Sequence, residues 1–77
     1  MNEDQWLSTI KIISREHYLI DQSVVRINPT KSDLVDVKLF SNSALLSQYN
    51  DFKELINSIR KLVPHNYRVI FDIRFTL

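Results

Sequence analysis

The sequence predicts a small α+β domain in the order α-β-β-α-β, with two helices packed on one face of a three-stranded mixed sheet. Three observations predict it. Leu45, Tyr49, Phe52, Ile56, Ile59 and Val63 recur at alternating steps of four and three, the period of a helix with one apolar face. Tyr67, Val69, Phe71, Ile73 and Phe75 recur at steps of two, the period of a strand with one apolar side. The 77 residues give room for one hydrophobic core, so residues 1–77 are read as a single domain.

The first helix is placed from Glu3 to Glu16. Asn2 followed by Gln5 forms a capping box, in which each side chain satisfies a backbone amide that the helix start leaves without a partner. Trp6, Ile10, Ile13 and His17 then fall on one face. The β-branched residues of Thr9 to Ile13 also suit a strand, and Tyr18 to Gln22 is ambiguous, with another helical turn as one reading.

The first strand is read over Val24 to Ile27. Asn28-Pro29-Thr30-Lys31-Ser32-Asp33 has the composition of a turn, and Leu34 to Phe40 alternates, with Val35, Val37 and Leu39 on one side and Asp36 and Lys38 on the other. The two strands are expected to pair as an antiparallel hairpin.

Ser41-Asn42-Ser43 offers capping groups ahead of the second helix. Asp51 and Glu54 form a further capping box, which predicts a break near Asn50. Arg60 and Lys61 suit the negative end of the helix dipole, and Pro64 ends the helix. The strand Tyr67 to Phe75 is expected to run parallel to the second strand, because a strand-helix-strand crossover returns in the same direction. Its apolar side, with Ile70 on the other, suggests a central position.

Composition removes several function classes. The chain has no glycine, where average usage of about 7% predicts roughly five. Phosphate-binding loops, dinucleotide fingerprints and nucleophile elbows need backbone conformations that glycine alone adopts cheaply, so none is present. With no cysteine there is neither disulfide nor thiolate metal site, which fits a reducing cytoplasmic setting. No apolar run approaches the ~20 residues a membrane helix needs, and Met1-Asn2-Glu3-Asp4 has the wrong sign for a secretory signal. Ten basic against nine acidic residues, without a block of one sign, give a charge of +1 and no footprint for nonspecific nucleic-acid binding.

The polar candidates have structural duties. His17 and His65 lack neighbouring ligands at zinc spacing. Asp33 with Asp36, and Asp51 with Glu54, have nothing apolar to separate their pKa values as acid-base pairs require, and Ser41, Ser43 and Ser47 are read as helix caps. No catalytic residue, metal site or cofactor is assigned. Five residues are candidate partner contacts. Trp6 is a lone tryptophan on a first helical turn, the type of residue that anchors interfaces. Arg60, Lys61, Arg68 and Arg74 are the cationic candidates, and the edge strand Val24 to Ile27 is a candidate acceptor for an added strand.

The element order, with Trp6 opening the first helix and Asn42 ahead of the second, resembles the N-terminal interaction domain of the bacterial replication initiator DnaA. Ser41-Asn42-Ser43-Ala44 lacks the proline and aromatic that flank the asparagine in that family, and its later tryptophan is missing. Small ring-building domains of secretion systems share the same order but usually carry glycines. Both resemblances imply docking onto other proteins. The functional expectation is a cytoplasmic, non-enzymatic protein interaction module, an adaptor or an inhibitor of the kind a phage or mobile element encodes, with homodimerisation left open. The alternative is a nucleic-acid-binding domain using Arg26, Lys38, Arg68 and Arg74 on the charged sheet face, or the cluster of Arg60, Lys61 and Arg68.

Overall fold

A computed structural model describes residues 2–42 and 48–75. Two helices, α1 (Glu3–Glu16) and α2 (Tyr49–Leu62), accompany three strands, β1 (Ile20–Ile27), β2 (Leu34–Ser41) and β3 (Arg68–Phe75), in the order α-β-β-α-β. The fold is α+β with a three-stranded mixed sheet.

The expected capping box starts α1: Asn2 Oδ1 accepts from the Gln5 amide at 2.9 Å, and Gln5 Oε1 accepts from the Asn2 amide at 2.9 Å. The helix buries Trp6, Ile10 and Ser14, with Leu7 and Ile13 packed beside them. β1 begins earlier than its alternation shows. A register shift between Ile20 and Gln22 breaks the two-residue period, so buried Ile20 falls out of phase with Val25.

The β1–β2 hairpin turns without glycine and without positive φ. Asn28 replaces that freedom with hydrogen bonds: its Oδ1 accepts from the amides of Thr30 at 2.9 Å and Lys31 at 3.1 Å, and its Nδ2 donates to Asp36 at 3.1 Å. β1 pairs antiparallel with β2, and β3 pairs parallel with β2.

The strand order is β1-β2-β3, so β2 is central and β3 is an edge. This corrects the central position expected for β3. A hairpin makes β1 and β2 neighbours, which leaves β3 only an outer place. The burial agrees: Val35, Val37 and Leu39 are at most 1% exposed, whereas Val69, Phe71 and Ile73 are only partly buried.

α2 runs unbroken from Tyr49 to Leu62 with Asp51 inside its first turn rather than at its cap, and the short helical piece expected before a break near Asn50 lies largely outside the described residues. Its N-cap, Gln48, makes no side-chain cap hydrogen bond. Ser41 is instead buried at the end of β2, and Asn42 turns back, its Nδ2 donating to the Tyr18 carbonyl and to Asp21, each at 3.0 Å. Ser43 and Ser47, the other expected caps, and Leu45 lie outside the described residues. Leu55 and Ile59 of α2 and its C-cap Val63 join Trp6, Ile10, Val25, Val35, Val37 and Leu39 in one core between the helices and the sheet.

Candidate interaction surface

The side of the sheet opposite that core is formed by alternate residues of all three strands. Register aligns them in rows: Val24, Lys38 and Asp72; Arg26, Asp36 and Ile70; Gln22, Phe40 and Arg74. Val24 and Ile70 are 42% and 53% exposed, although both lie within strands. A shallow depression of about 480 Å³ is lined by these two side chains with Arg26, Asp36, Lys38 and Asp72.

The arginines on this face are matched in pairs, while Lys38 stands over the Phe40 ring at 5.6 Å. Arg26 Nε lies 3.6 Å from Asp36 Oδ2, and Arg74 Nε donates to Asp72 Oδ1 at 2.9 Å. The Arg74 guanidinium holds the Asp72 carboxyl below the usual range, and Asp72 raises Arg74 in return. At the rim, Arg68 Nε lies 3.7 Å from Asp33 Oδ2. Exposed pairs of this kind add little stability, but they neutralise the arginines that a phosphate backbone would require.

The candidate contacts do not form one site. Trp6 is 2% exposed, edge to face with Tyr67 at 5.0 Å, and so belongs to the core. Its position on a first helical turn left both readings open; the start of β3 folding over it decides for burial. Arg60 stands over the Phe71 ring at 5.2 Å on the helical side, whereas Arg68 shares the strand side of Ile70. The sheet therefore separates Arg60 from Arg68. Lys61 is exposed in the last turn of α2, and Arg74 lies on the outer face. Val24 and Ile70, absent from the sequence-based candidates except as part of an edge strand, are the residues whose exposure marks the outer face. The signal was available in Ile70, the one apolar residue among Arg68, Asp72 and Arg74.

A second cleft, of about 430 Å³, lies between the end of α1 and the first half of α2, lined by Ile13, His17, Tyr18, Asp51, Glu54 and Ser58 with Leu55. The Tyr18 phenol donates to Asp51, and that hydrogen bond raises the Tyr18 pKa above its ordinary value. His17 Nδ1 accepts from the Leu19 amide at 3.2 Å at the C-cap of α1. His65 follows the opposite end of α2, so the imidazoles do not converge. Asp33 and Asp36 bind different arginines. Among the described residues, no three metal-binding side chains gather, and no helix is long and apolar enough to cross a membrane.

No family model, curated protein or solved structure matches this chain. The likenesses to replication-initiator and ring-building domains thus stay at the level of element order.

Proposed function

We propose that the chain is a non-enzymatic protein interaction module that docks through the outer face of its sheet. The observation that carries this reading is the pair Val24 and Ile70, half exposed on the two edge strands of a face whose central strand carries Asp36 and Lys38 and which neither described helix covers. Apolar side chains left half exposed on a sheet among polar groups are candidates for contact with a partner. The partner chemistry that fits is a protein surface with charges of both signs flanked by apolar contacts, since Arg26, Asp36, Lys38 and Asp72 offer both signs between Val24 and Ile70. The role this supports is an adaptor, or an inhibitor such as a phage or mobile element encodes, acting by covering a partner's surface. A cysteine-free chain suits a cytoplasmic setting.

Nucleic-acid binding has less support, because Arg26, Arg68 and Arg74 each face an aspartate. Affinity capture from the source cells tests the proposal. The wild-type chain is expected to retain a protein that a Val24→Lys, Ile70→Lys variant loses, while the fold stays intact by circular dichroism. Equal retention by both removes the outer face as the docking surface. A retained species that is nucleic acid and leaves between low and moderate salt favours the alternative.

A further inference from the structure

β1 and β3 are both edges of the sheet, and they differ. β1 carries a register shift near its start, an irregularity that blunts an edge against further pairing. β3 pairs with β2 in uninterrupted register from Arg68 to Phe75 and contains neither proline nor lysine. Its far side is therefore a regular, unguarded row of backbone groups. The side chains along it are incompletely covered: Phe75 is 54% exposed, and Val69, Phe71 and Ile73 are only partly buried beneath the margin of the helical layer.

The strand is also its own complement. Phe71-Asp72-Ile73-Arg74-Phe75 reads alike from either end with its charge inverted. In an antiparallel pair with a two-fold axis through Ile73, Phe71 faces the partner's Phe75, Asp72 faces the partner's Arg74, and Ile73 faces its own copy. Each contact occurs twice except the central one. Residues directly opposite across a ladder interact, and aromatic and opposite-charge pairs are favourable ones.

We infer that the chain self-associates through β3, joining two three-stranded sheets into one of six strands. An isologous contact of this kind closes as a dimer and leaves no free β3 edge. Other registers fit less well. An axis through Phe71 sets Arg68 against the partner's Arg74, and one through Asp72 sets that carboxylate against its own copy. An axis through Ile70 pairs Arg68 with the partner's Asp72 but leaves Arg74 facing Asn66 in the turn before the strand. The Ile73 register alone sets Asp72 and Arg74, which within one chain already hold each other at 2.9 Å, against the partner's Arg74 and Asp72 and also covers Phe75.

The inference does not rest on the outer-face reading. A monomer that still captures a protein through Ile70 would overturn the dimer and leave docking untouched.

Sedimentation velocity on the full chain over a micromolar concentration series tests it. The wild-type chain is expected to form a dimer. Asp72→Arg and Arg74→Asp each turn two attractive pairs into repulsive ones and weaken association by about tenfold or more, and the double exchange Asp72→Arg, Arg74→Asp restores it. A wild-type monomer throughout, or a dimer insensitive to Arg74→Asp yet lost on Arg68→Asp, overturns the inference. Should a charge variant fail to fold, oxidation of Ile73→Cys decides, because the chain has no other cysteine. A covalent dimer from Ile73→Cys, with none from Val24→Cys on β1, supports the β3 axis; the reverse yield contradicts it.

Discussion

The phenol of Tyr67 donates to Glu3 Oε2 at 2.8 Å, tying the residue before β3 to the first turn of α1, 64 positions away in the chain. The same ring covers Trp6 edge to face. The aromatic contact excludes water from the core, whereas the hydrogen bond is exposed and contributes less. Tyr67→Phe is therefore expected to lower the melting temperature slightly, and Tyr67→Ala to lower it several times more. Thermal unfolding followed by the fluorescence of Trp6, the only tryptophan, gives both shifts.

Alkaline pH acts on the same contact and on its counterpart at the other end of the helix pair. The carboxylates of Glu3 and Asp51 raise the phenols of Tyr67 and Tyr18 above the ordinary value of 10.0, chiefly through the hydrogen bonds they accept. A folded-state pKa above the unfolded one stabilises below the unfolded pKa and is lost as pH rises through the folded value. Stability contributed by these two phenols is thus present at neutral pH and fades above about pH 10. Absorbance titration at 295 nm is expected to show that Tyr67→Phe removes amplitude from the part of the curve above pH 10. Loss of amplitude only below that point would contradict the assignment.

Ser14 lies in α1 at 0% exposure, and its hydroxyl has no hydrogen-bond partner among the described residues. Burying an unpaired hydroxyl is unfavourable, and replacing it by a methyl-sized group removes that cost with little change in volume. Ser14→Ala is expected to leave stability unchanged or raise it by about 1 kcal/mol in urea titration, helped by the better helix propensity of alanine. A clear destabilisation would show that the hydroxyl has a partner.

Asn28 organises the hairpin turn through one side chain that accepts two amides and donates to Asp36. Asn28→Ala removes these three bonds, and the one its Oδ1 accepts from the Thr30 hydroxyl, from a turn that has no glycine to fall back on. The expected loss is about 1 kcal/mol, since the freed groups can reach water. Asn28→Asp keeps the acceptor but faces Asp36 with like charge, so it is expected to fall between alanine and wild type at neutral pH and to approach wild type in acid. Chemical denaturation at two pH values checks the order.

Much of this fold was legible because local rules agreed with the tertiary outcome. Asn2 and Gln5 marked the start of α1, and the four-three spacing from Tyr49 to Val63 marked α2. Where a residue had two adequate explanations, the sequence could not choose. Trp6 suits a core or an interface, and only the fold of Tyr67 across it decides. Asn42 suits a helix cap, but the corner formed by Tyr18 and Asp21 claims its amide. β1 was read four residues short because the bulge at its start hides the alternation on which strand reading depends. The apolar side of β3 suggested centrality, yet hairpin adjacency overrules composition in setting strand order. The outer face was visible only as alternating charge; that Val24 and Ile70 share it with matched ion pairs depends on register, which no single strand encodes.

Site-directed photocrosslinking tests the docking face most directly. With no native cysteine, Ile70→Cys on the outer face and Ile12→Cys on the exposed side of α1 can each carry a benzophenone label. In lysate of the source cells, the label at position 70 is expected to join the chain covalently to one discrete larger protein, and the label at position 12 to give no such band. A discrete adduct from position 12 alone, or equal adducts from both, would contradict docking through the sheet.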